Sequence, residues 1–339
     1  MDKAPFVSVI IPCRNEQDYI GKCLESVIMN NYPKENLEVL VVDGNSTDAT
    51  RTIVRKYAAY YPYIRLLDNE KETAPCALNI GIKNAKGEII ARMDAHSSYE
   101  KEYISKCIKY LEQYNADNVG GAWISLPRKD SLVGRAIACA LSCFFGVGNA
   151  RYRTGQRGEP RWVDTVPFGC FKKDIFNEIG YFDESLPRNE DTEFNYRLRK
   201  SGGRILLAPD IEIYYYARSA LKEICRHIFD NGFKVGSSIR PKQMIFSIRH
   251  LIPLMFVLGL VFSTVFFGIT GSLVIAIPYA LCSIYFSSRI AIEKKDIRLI
   301  FLMPFVFFLI HFSYGIGSIC GFVKSIASET MFKIGTAQS

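Results

Sequence analysis

Three long apolar blocks near the C-terminus of this 339-residue chain restrict its fold more than any other feature of the sequence. The blocks cover residues 250–269, 271–287 and 299–320. Each is close to the roughly 20 apolar residues that a helix needs to cross a bilayer. A single residue separates the first two blocks, which predicts a tight hairpin, and a basic segment at 289–298 precedes the third. We therefore expect about three transmembrane helices within 250–320 and a tail at 321–339.

Basic residues accumulate just before these blocks and supply part of the formal net charge of +8. They are Arg218, Lys222, Arg226, Lys234, Arg240, Lys242 and Arg249, opposed by Glu223 and Asp230. Cations beside membrane spans favour the cytoplasmic side and attract anionic headgroups, although a solvated positive surface is an alternative. They do not form the dense stripe of a nucleic-acid-binding protein, so we expect a basic juxtamembrane linker at 236–249 and no nucleic-acid partner.

The N-terminal part is expected to stay in the cytoplasm. The opening residues lack the basic and apolar pattern of a signal peptide, and the ten cysteines form no CxxC pair, which fits a reducing compartment. The positive-inside rule places the 289–298 loop on the cytoplasmic side as well. The third block would then carry the tail outside, yet Lys324 and Lys333 argue against that, so a re-entrant block is an alternative. We expect a multi-pass protein of the inner membrane.

Residues 1–235 alternate between short β-branched runs and segments with helical spacing. The predicted strands are 7–11, 37–42, 64–67 and 88–93, and the predicted helices between them are 18–30, 47–60 and 74–83. This order predicts an α/β domain with a mostly parallel sheet and helices on both faces. Ligands of such sheets bind at the carboxyl ends of the strands. Asp43 and Asp94 both fall at such ends.

Several segments, taken in order, resemble the inverting GT-A glycosyltransferases of family 2. They are VSVIIPCRNE at 7–16, VVDGNSTD at 41–48, MDAH at 93–96, DTVPFG at 164–169, GYFDE at 180–184 and NEDTE at 189–193. The similarity covers roughly residues 5–235. Within the family it is greatest to bacterial exopolysaccharide transferases of the succinoglycan type, which also end in membrane helices. The resemblance implies a GT-A (Rossmann-like) catalytic domain at 1–235.

The resemblance also implies a nucleotide-sugar site at the first two strand ends. Asp43 would accept hydrogen bonds from the nucleobase or ribose, with an Asx-turn or a helix N-cap there as the alternative. The residues that would share this site are Pro12, Asn15, Glu16, Asn79 and Asp94. Glu16 is alternatively an ordinary first-turn charge. A UDP-sugar is the default donor of the family.

Asp94 stands where the family has the first carboxylate of its DxD motif, and His96 replaces the second. The resemblance implies that Asp94 binds Mg²⁺ or Mn²⁺ together with the donor diphosphate, since these ions prefer oxygen ligands. Imidazole also ligates Mn²⁺, so His96 is a second candidate ligand. Contact between His96 and a phosphate is the alternative.

Asp191 is the candidate general base, with Glu190 orienting it. Inverting transfer needs a carboxylate on the face opposite the leaving group and no covalent nucleophile. Both acids open a predicted helix, so the alternative is that they are ordinary first-turn acids stabilised by the helix dipole.

Three arginines are candidates for contacting a diphosphate. Arg226 is the one residue kept where processive family members have QxxRW, because the chain reads EICRH at 223–227. This departure favours transfer of a single sugar over processive synthesis. Arg151 and Arg153 follow a glycine-rich loop and would meet the pyrophosphate of a lipid-linked acceptor; a plain surface loop is the alternative.

The resulting hypothesis is transfer of one sugar from a nucleotide-diphosphate sugar to a polyprenyl-diphosphate-linked saccharide, in exopolysaccharide or cell-surface glycan synthesis. A polyprenyl-phosphate sugar synthase of the same fold is the first alternative. A catalytically inactive membrane scaffold is the second. A dinucleotide-dependent dehydrogenase is disfavoured because no GxGxxG follows the first strand.

Overall fold

The computed structural model describes residues 4–154, 158–186, 189–238 and 248–337. The chain divides into two compact units. The α/β unit comprises Met1–Ile124 and Arg151–Tyr216, and the helical unit comprises Ser125–Ala150 and Ala217–Ser339. This division falls earlier than the boundary at 235 expected from the sequence, and 125–150 joins the C-terminal helices.

The described residues form nine strands and twelve α-helices. The strands are β1 (Val7–Cys13), β2 (Leu37–Asp43), β3 (Ile64–Asp68), β4 (Ile89–Arg92), β5 (Ser97–Tyr99), β6 (Asn118–Pro127), β7 (Arg161–Trp162), β8 (Cys170–Lys172) and β9 (Ile205–Ala217). The helices are α1 (Ile20–Ile28), α2 (Thr50–Tyr60), α3 (Ala74–Asn84), α4 (Tyr103–Gln113), α5 (Leu132–Leu141), α6 (Phe144–Val147), α7 (Arg151–Thr154), α8 (Ile175–Ile179), α9 (Glu190–Lys200), α10 (Leu221–Ser237), α11 (Ile252–Lys294) and α12 (Arg298–Ala337).

The first four strands form the parallel half of one sheet, in the order β3-β2-β1-β4. Strands β1, β2 and β4 are rich in β-branched residues and are buried along almost their whole length. This composition is typical of parallel strands that helices cover on both faces. The α/β fold class is therefore confirmed. All four predicted strands and the three helices between them are present, with ends that differ by a few residues.

The second half of the sheet is antiparallel, so the expectation of a mostly parallel sheet holds only for the first half. The order continues from β4 through β8, β6 and β9 to β5, with β7 on β9. The chain between β7 and β8 forms no strand. Phe168 and Gly169 have φ angles of +65° and +81°, which interrupt an extended strand.

The helical unit contains the hairpin expected from the apolar blocks. Gly268, with φ 62° and ψ −157°, breaks α11 into two arms. The rings of Phe256 and Tyr279 lie 4.5 Å apart, so the arms fold back against each other. α12 continues to Ala337 in place of a separate tail. By length and composition, Ile252–Lys294 and Arg298–Ala327 are long and apolar enough to cross a membrane.

Helices α10 and α12 touch through glycines on both sides. A Cβ atom on Gly236 would lie 2.0 Å from the carbonyl oxygen of Ser318, and one on Gly321 would lie 2.0 Å from that of Phe233. Cβ atoms on Gly232 and Gly317 would lie 2.1 and 2.2 Å from carbonyl oxygens of the opposite helix. Each helix thus carries a GxxxG spacing that allows direct backbone contact.

We predict that Gly236→Ala separates these two helices and destabilises the helical unit by about 3 kcal/mol, the upper part of the range for overpacking. The backbone of Ser318 cannot yield as a side chain could. Thermal unfolding of the full chain in detergent measures the effect. Gly259→Ala is the matched control, because its Cβ would meet the movable Cδ1 of Ile275 at 3.1 Å. Equal midpoints for the two variants would contradict the close contact.

Candidate functional site

The carboxyl ends of the parallel strands bring together Glu16, Asp94 and His96. Glu16 follows β1, whereas Asp94 and His96 follow β4. The Nδ1 atom of His96 lies 3.0 Å from Glu16 Oε1 and 2.8 Å from Asp94 Oδ1. The two loops are therefore joined through one imidazole, as the fold predicted for residues at this edge.

Asp94 and His96 form a partly buried ion pair. Burial alone would raise the pKa of Asp94 and lower that of His96, but their mutual attraction prevails. The pKa of Asp94 falls below its usual value, and the pKa of His96 rises well above 6.5. Both side chains remain about one-fifth exposed. The backbone N–H of Asp94 donates to the Tyr99 hydroxyl at 2.6 Å, which fixes the loop.

These residues fit a divalent cation that is shared with a ligand. Among the described residues, no group of three or more His, Cys, Asp or Glu side chains is arranged to hold a metal. The contacts that His96 makes with Asp94 fall on Oδ1, which leaves Oδ2 for a cation. One carboxylate suits Mg²⁺ or Mn²⁺ when diphosphate oxygens and water fill the other positions. His96 would first have to release its proton before ligating through Nδ1.

Asp43 is fully buried and its carboxylate is engaged within the protein. Ser46 donates through its hydroxyl to Oδ1 at 2.5 Å and through its backbone N–H to Oδ2 at 3.0 Å. Arg51 donates to Oδ2 at 2.8 Å and to Asp68 at 2.6 Å. Asp43 therefore has a local structural role, because it accepts a hydrogen bond from the backbone N–H three residues on in the turn after β2. Sequence reasoning missed Arg51, which lies at the start of the helix after β2.

Asn15 and Pro12 lie at the end of β1, beside this turn. Pro12 pairs with Val42 in the sheet. Asn15 has a left-handed φ of 54° and accepts a hydrogen bond from the N–H of Thr47 at 2.8 Å. Its own N–H donates to the Ser46 hydroxyl. Asn15 therefore ties the loop after β1 to the loop after β2.

Asn79 has a structural role that the expectation of a nucleotide contact did not foresee. It is buried on α3, and its Nδ2 donates to the carbonyl of Phe182 and to Glu184 Oε1. Its Oδ1 accepts from the N–H of Phe182 at 3.0 Å. The geometry gives no support to the nucleotide contact, because these contacts occupy both ends of the amide.

The carboxylate of Glu184 supplies a pH-dependent part of the stability. Hydrogen bonds from Lys71 first, and then from Asn79, lower the pKa of Glu184 from 4.5 to about 2. A lowered folded-state pKa stabilises the protein above pH 4.5, and this stabilisation is lost as the pH falls towards 2. We predict that wild type exceeds Glu184→Gln in thermal midpoint at pH 6 and that this difference narrows by pH 3. A difference that stays constant with pH would contradict the assignment.

The candidate base helix α9 begins at the remaining acidic pair. Glu190 is buried, whereas Asp191 is half-buried and accepts a hydrogen bond from the N–H of Thr192 at 2.8 Å. Glu190 Oε1 lies 2.6 Å from Arg92 Nη2, and each side chain is 8% exposed. Burial raises the pKa of Glu190 despite this partner. The contact joins the end of β4, next to Asp94, to the first turn of α9.

A second buried contact holds the middle of α9. Asn195 donates to the Thr165 hydroxyl at 2.9 Å and accepts from Asn118 at 2.8 Å. Thr165 lies in the 164–169 segment, whose last residue accepts a hydrogen bond from the N–H of Arg92. This segment therefore positions both α9 and the end of β4.

The three candidate arginines lie in different places. The Arg153 guanidinium lies over the Trp123 ring at 4.3 Å and over Tyr215 at 5.7 Å, and Tyr215 in turn contacts the His96 ring at 5.4 Å. Arg151 is exposed on α7. Arg226 lies on α10 in the helical unit. A diphosphate contact stays a prediction for all three.

Comparisons with known proteins match this chain to one family of enzymes. The family pattern described as Glycosyl transferase family 2 matches residues 8–180. A dolichyl N-acetyl-α-D-glucosaminyl phosphate 3-β-D-2,3-diacetamido-2,3-dideoxy-β-D-glucuronosyltransferase of Methanococcus voltae is 28% identical, over 94% of this chain and 98% of the relative. The succinoglycan biosynthesis protein ExoA of Rhizobium meliloti is 30% identical, over 73% of this chain and 74% of its own.

A similar fold occurs among solved structures. The mannosyltransferase PcManGT of Pyrobaculum calidifontis, in complex with GDP-Man and Mn²⁺, has a TM-score of 0.62 at 19% identity, over 94% of this chain and 88% of that chain. Residues 1–349 of S. aureus TarS have a TM-score of 0.51 at 18% identity, over 92% and 90% of the two chains. At such identities the likeness concerns the fold.

Proposed function

Because this chain belongs to glycosyltransferase family 2, we propose that it transfers one sugar from a nucleotide-diphosphate sugar to a lipid-linked saccharide. The observation that carries the proposal is the meeting of two acidic elements. Asp94 and His96 follow β4, and Glu190 and Asp191 open α9, while Arg92 joins the two across 2.6 Å. The leaving diphosphate needs positive charge to stabilise it, whereas the attacking hydroxyl needs a base that accepts its proton. The residues after β4 would serve the diphosphate, and those that open α9 would serve the hydroxyl.

Asp94 is assigned to the diphosphate side. A bound Mg²⁺ or Mn²⁺ would supply positive charge to stabilise the leaving group. Asp94 would hold that ion, with His96 as a second ligand or as a phosphate contact. Glu16 accepts a hydrogen bond from His96, which holds the imidazole ring beside the loop after β1. Asn15 and Pro12 would border the bound nucleotide. Asp43 would stabilise the neighbouring turn through its hydrogen bonds to Ser46.

Asp191 is assigned to the acceptor side as the general base. It is half-buried and lies next to buried Glu190, so it alone of the pair can reach solvent or a substrate. A positioned carboxylate that removes the hydroxyl proton contributes about 10²–10⁴-fold to the rate. Glu190, held by Arg92, orients Asp191 and does not react.

A lipid-linked acceptor fits the relatives and the helical unit together. The M. voltae relative, aligned along nearly the whole of both chains, is named for a dolichyl phosphate-linked acceptor. Arg153, beside Trp123 and Tyr215, and Arg151 and Arg226 are the proposed contacts for acceptor or donor phosphates. The family resemblance makes a UDP-sugar the default donor.

The helical unit is proposed to anchor the chain as a multi-pass protein of the inner membrane, with the α/β unit in the cytoplasm. Large apolar side chains of α11 and α12 are well exposed, among them Val265 at 71%, Ile269 at 78% and Phe301 at 80%. Contiguous exposure of this kind favours a lipid environment. The arm before Gly268, at 252–267, extends about 24 Å at 1.5 Å per residue, so partial insertion of the hairpin is the alternative.

We predict that purified full-length protein releases nucleotide from one member of a panel of UDP- and GDP-sugars when Mn²⁺ and a polyprenyl-diphosphate-linked acceptor are present. EDTA and Asp94→Ala should each abolish the release. Asp191→Asn should lower kcat by about 10²–10⁴-fold, because the acceptor hydroxyl loses its base. Glu112→Gln, an exposed acid on α4, is the control and should leave the rate unchanged.

Two other results have distinct meanings. Activity that survives Asp191→Asn with a polyprenyl phosphate as acceptor would favour a polyprenyl-phosphate sugar synthase, since a phosphate needs no base. A wild-type protein that turns over no donor with any lipid acceptor would favour an inactive membrane scaffold.

A further inference from the structure

Arg92 is a buried cation that joins the two parts of the proposed site and takes no direct part in the proposed chemistry. It is the last residue of β4 and is 6% exposed. One of its nitrogens contacts Glu190, while Nε and Nη1 are buried without a hydrogen-bond partner among the described residues. A buried guanidinium with a single partner is rare, because each unmatched donor loses its hydration. Some requirement other than local stability has to explain its presence.

Three acidic side chains surround this cation. Glu190 makes the direct contact, and the charges of Asp191 and Asp94 also act on Arg92. The candidate base and the candidate metal ligand therefore both act electrostatically on Arg92. A cation in that position opposes the mutual repulsion of the three carboxylates, which would otherwise push α9 away from the end of β4.

The surroundings hold the guanidinium in a single place. The rings of Phe168 and Phe182 lie 5.8 and 6.0 Å from its central carbon. The side-chain amide of Asn79 holds the backbone of Phe182 through two hydrogen bonds, and Phe168 has a left-handed φ. The backbone N–H of Arg92 donates to Gly169 at 2.9 Å. Neither the sheet nor α9 alone could provide this arrangement.

We propose that Arg92 is the positioning residue of the site: through Glu190 it sets the place of Asp191 relative to Asp94. The inference rests on the proposed transfer reaction. Arg92 touches no substrate in this account. It fixes the distance between the group that accepts the proton and the group that holds the leaving diphosphate. A directional 2.6 Å ion pair does this better than apolar packing would.

The test compares full-length wild type with Arg92→Met, Glu190→Met and the double variant. Each single change leaves a buried group without its partner, so both should lower the thermal midpoint, whereas the double variant replaces the pair by apolar side chains and should recover much of it. We expect kcat to fall about 100-fold or more in all three, because a displacement of about 1 Å costs this much. The KM for the donor should stay within about threefold of wild type.

Amide hydrogen exchange gives a readout that does not depend on activity. The peptide covering residues 189–194 should exchange faster in all three variants, with the rest of α9 unchanged, because Asn195 still holds it. Glu38→Gln is the matched control. This buried acid bonds Ser8 and the N–H of Lys86 near the other end of the parallel strands. Its loss should lower the midpoint while kcat and exchange at 189–194 stay as in wild type.

Recovery of both midpoint and kcat in the double variant would overturn the proposal, because the pair would then be merely structural. Unchanged exchange at 189–194 in every variant would overturn it as well. If wild type turns over none of UDP-glucose, UDP-N-acetylglucosamine and GDP-mannose, the transfer reaction has failed. The exchange experiment would still decide whether Arg92 positions α9.

Discussion

The buried ion pair between Arg92 and Glu190 connects the two halves of the sheet at the place where chemistry is proposed. Arg92 ends the last parallel strand, and Glu190 opens a helix whose Phe194 ring packs 5.4 Å from Phe171 of the antiparallel strand β8. Removing one partner of such a pair typically costs about 3–5 kcal/mol, because the other charge remains buried. An apolar pair could have held these two elements together without burying a charge. An ion pair here makes sense when nearby charges must keep fixed distances.

The sequence predicted the parts of the molecule that depend on local pattern. Apolar runs such as 37–42 predicted the parallel strands, and the polar residues after them predicted a site at the carboxyl ends of these strands. The apolar blocks likewise gave the hairpin, whose turn is at Gly268. Pattern could not give the antiparallel half, because β5 and β8 are three residues each and owe their strand conformation to pairing with distant strands.

The site shows the same division between local and tertiary information. Asp94 and His96 are neighbours in sequence and were predicted together. The partners of Asn79 were not, since Phe182 lies 103 residues from Asn79 and only the fold brings them together. Arg92 lies 98 residues from Glu190. A cation inside the apolar run EIIARM was the one sequence signal that could have revealed it.

The most direct test of the whole account is a structure of the full chain with Mn²⁺ and either UDP or GDP, with the metal located by anomalous scattering. We expect one Mn²⁺ bonded to an Asp94 oxygen and to the diphosphate, with the Asp191 carboxylate facing the metal and the Arg92–Glu190 contact intact. A nucleotide bound at the strand ends with its metal away from Asp94, or with Asp191 turned away from the metal, would contradict the proposed function.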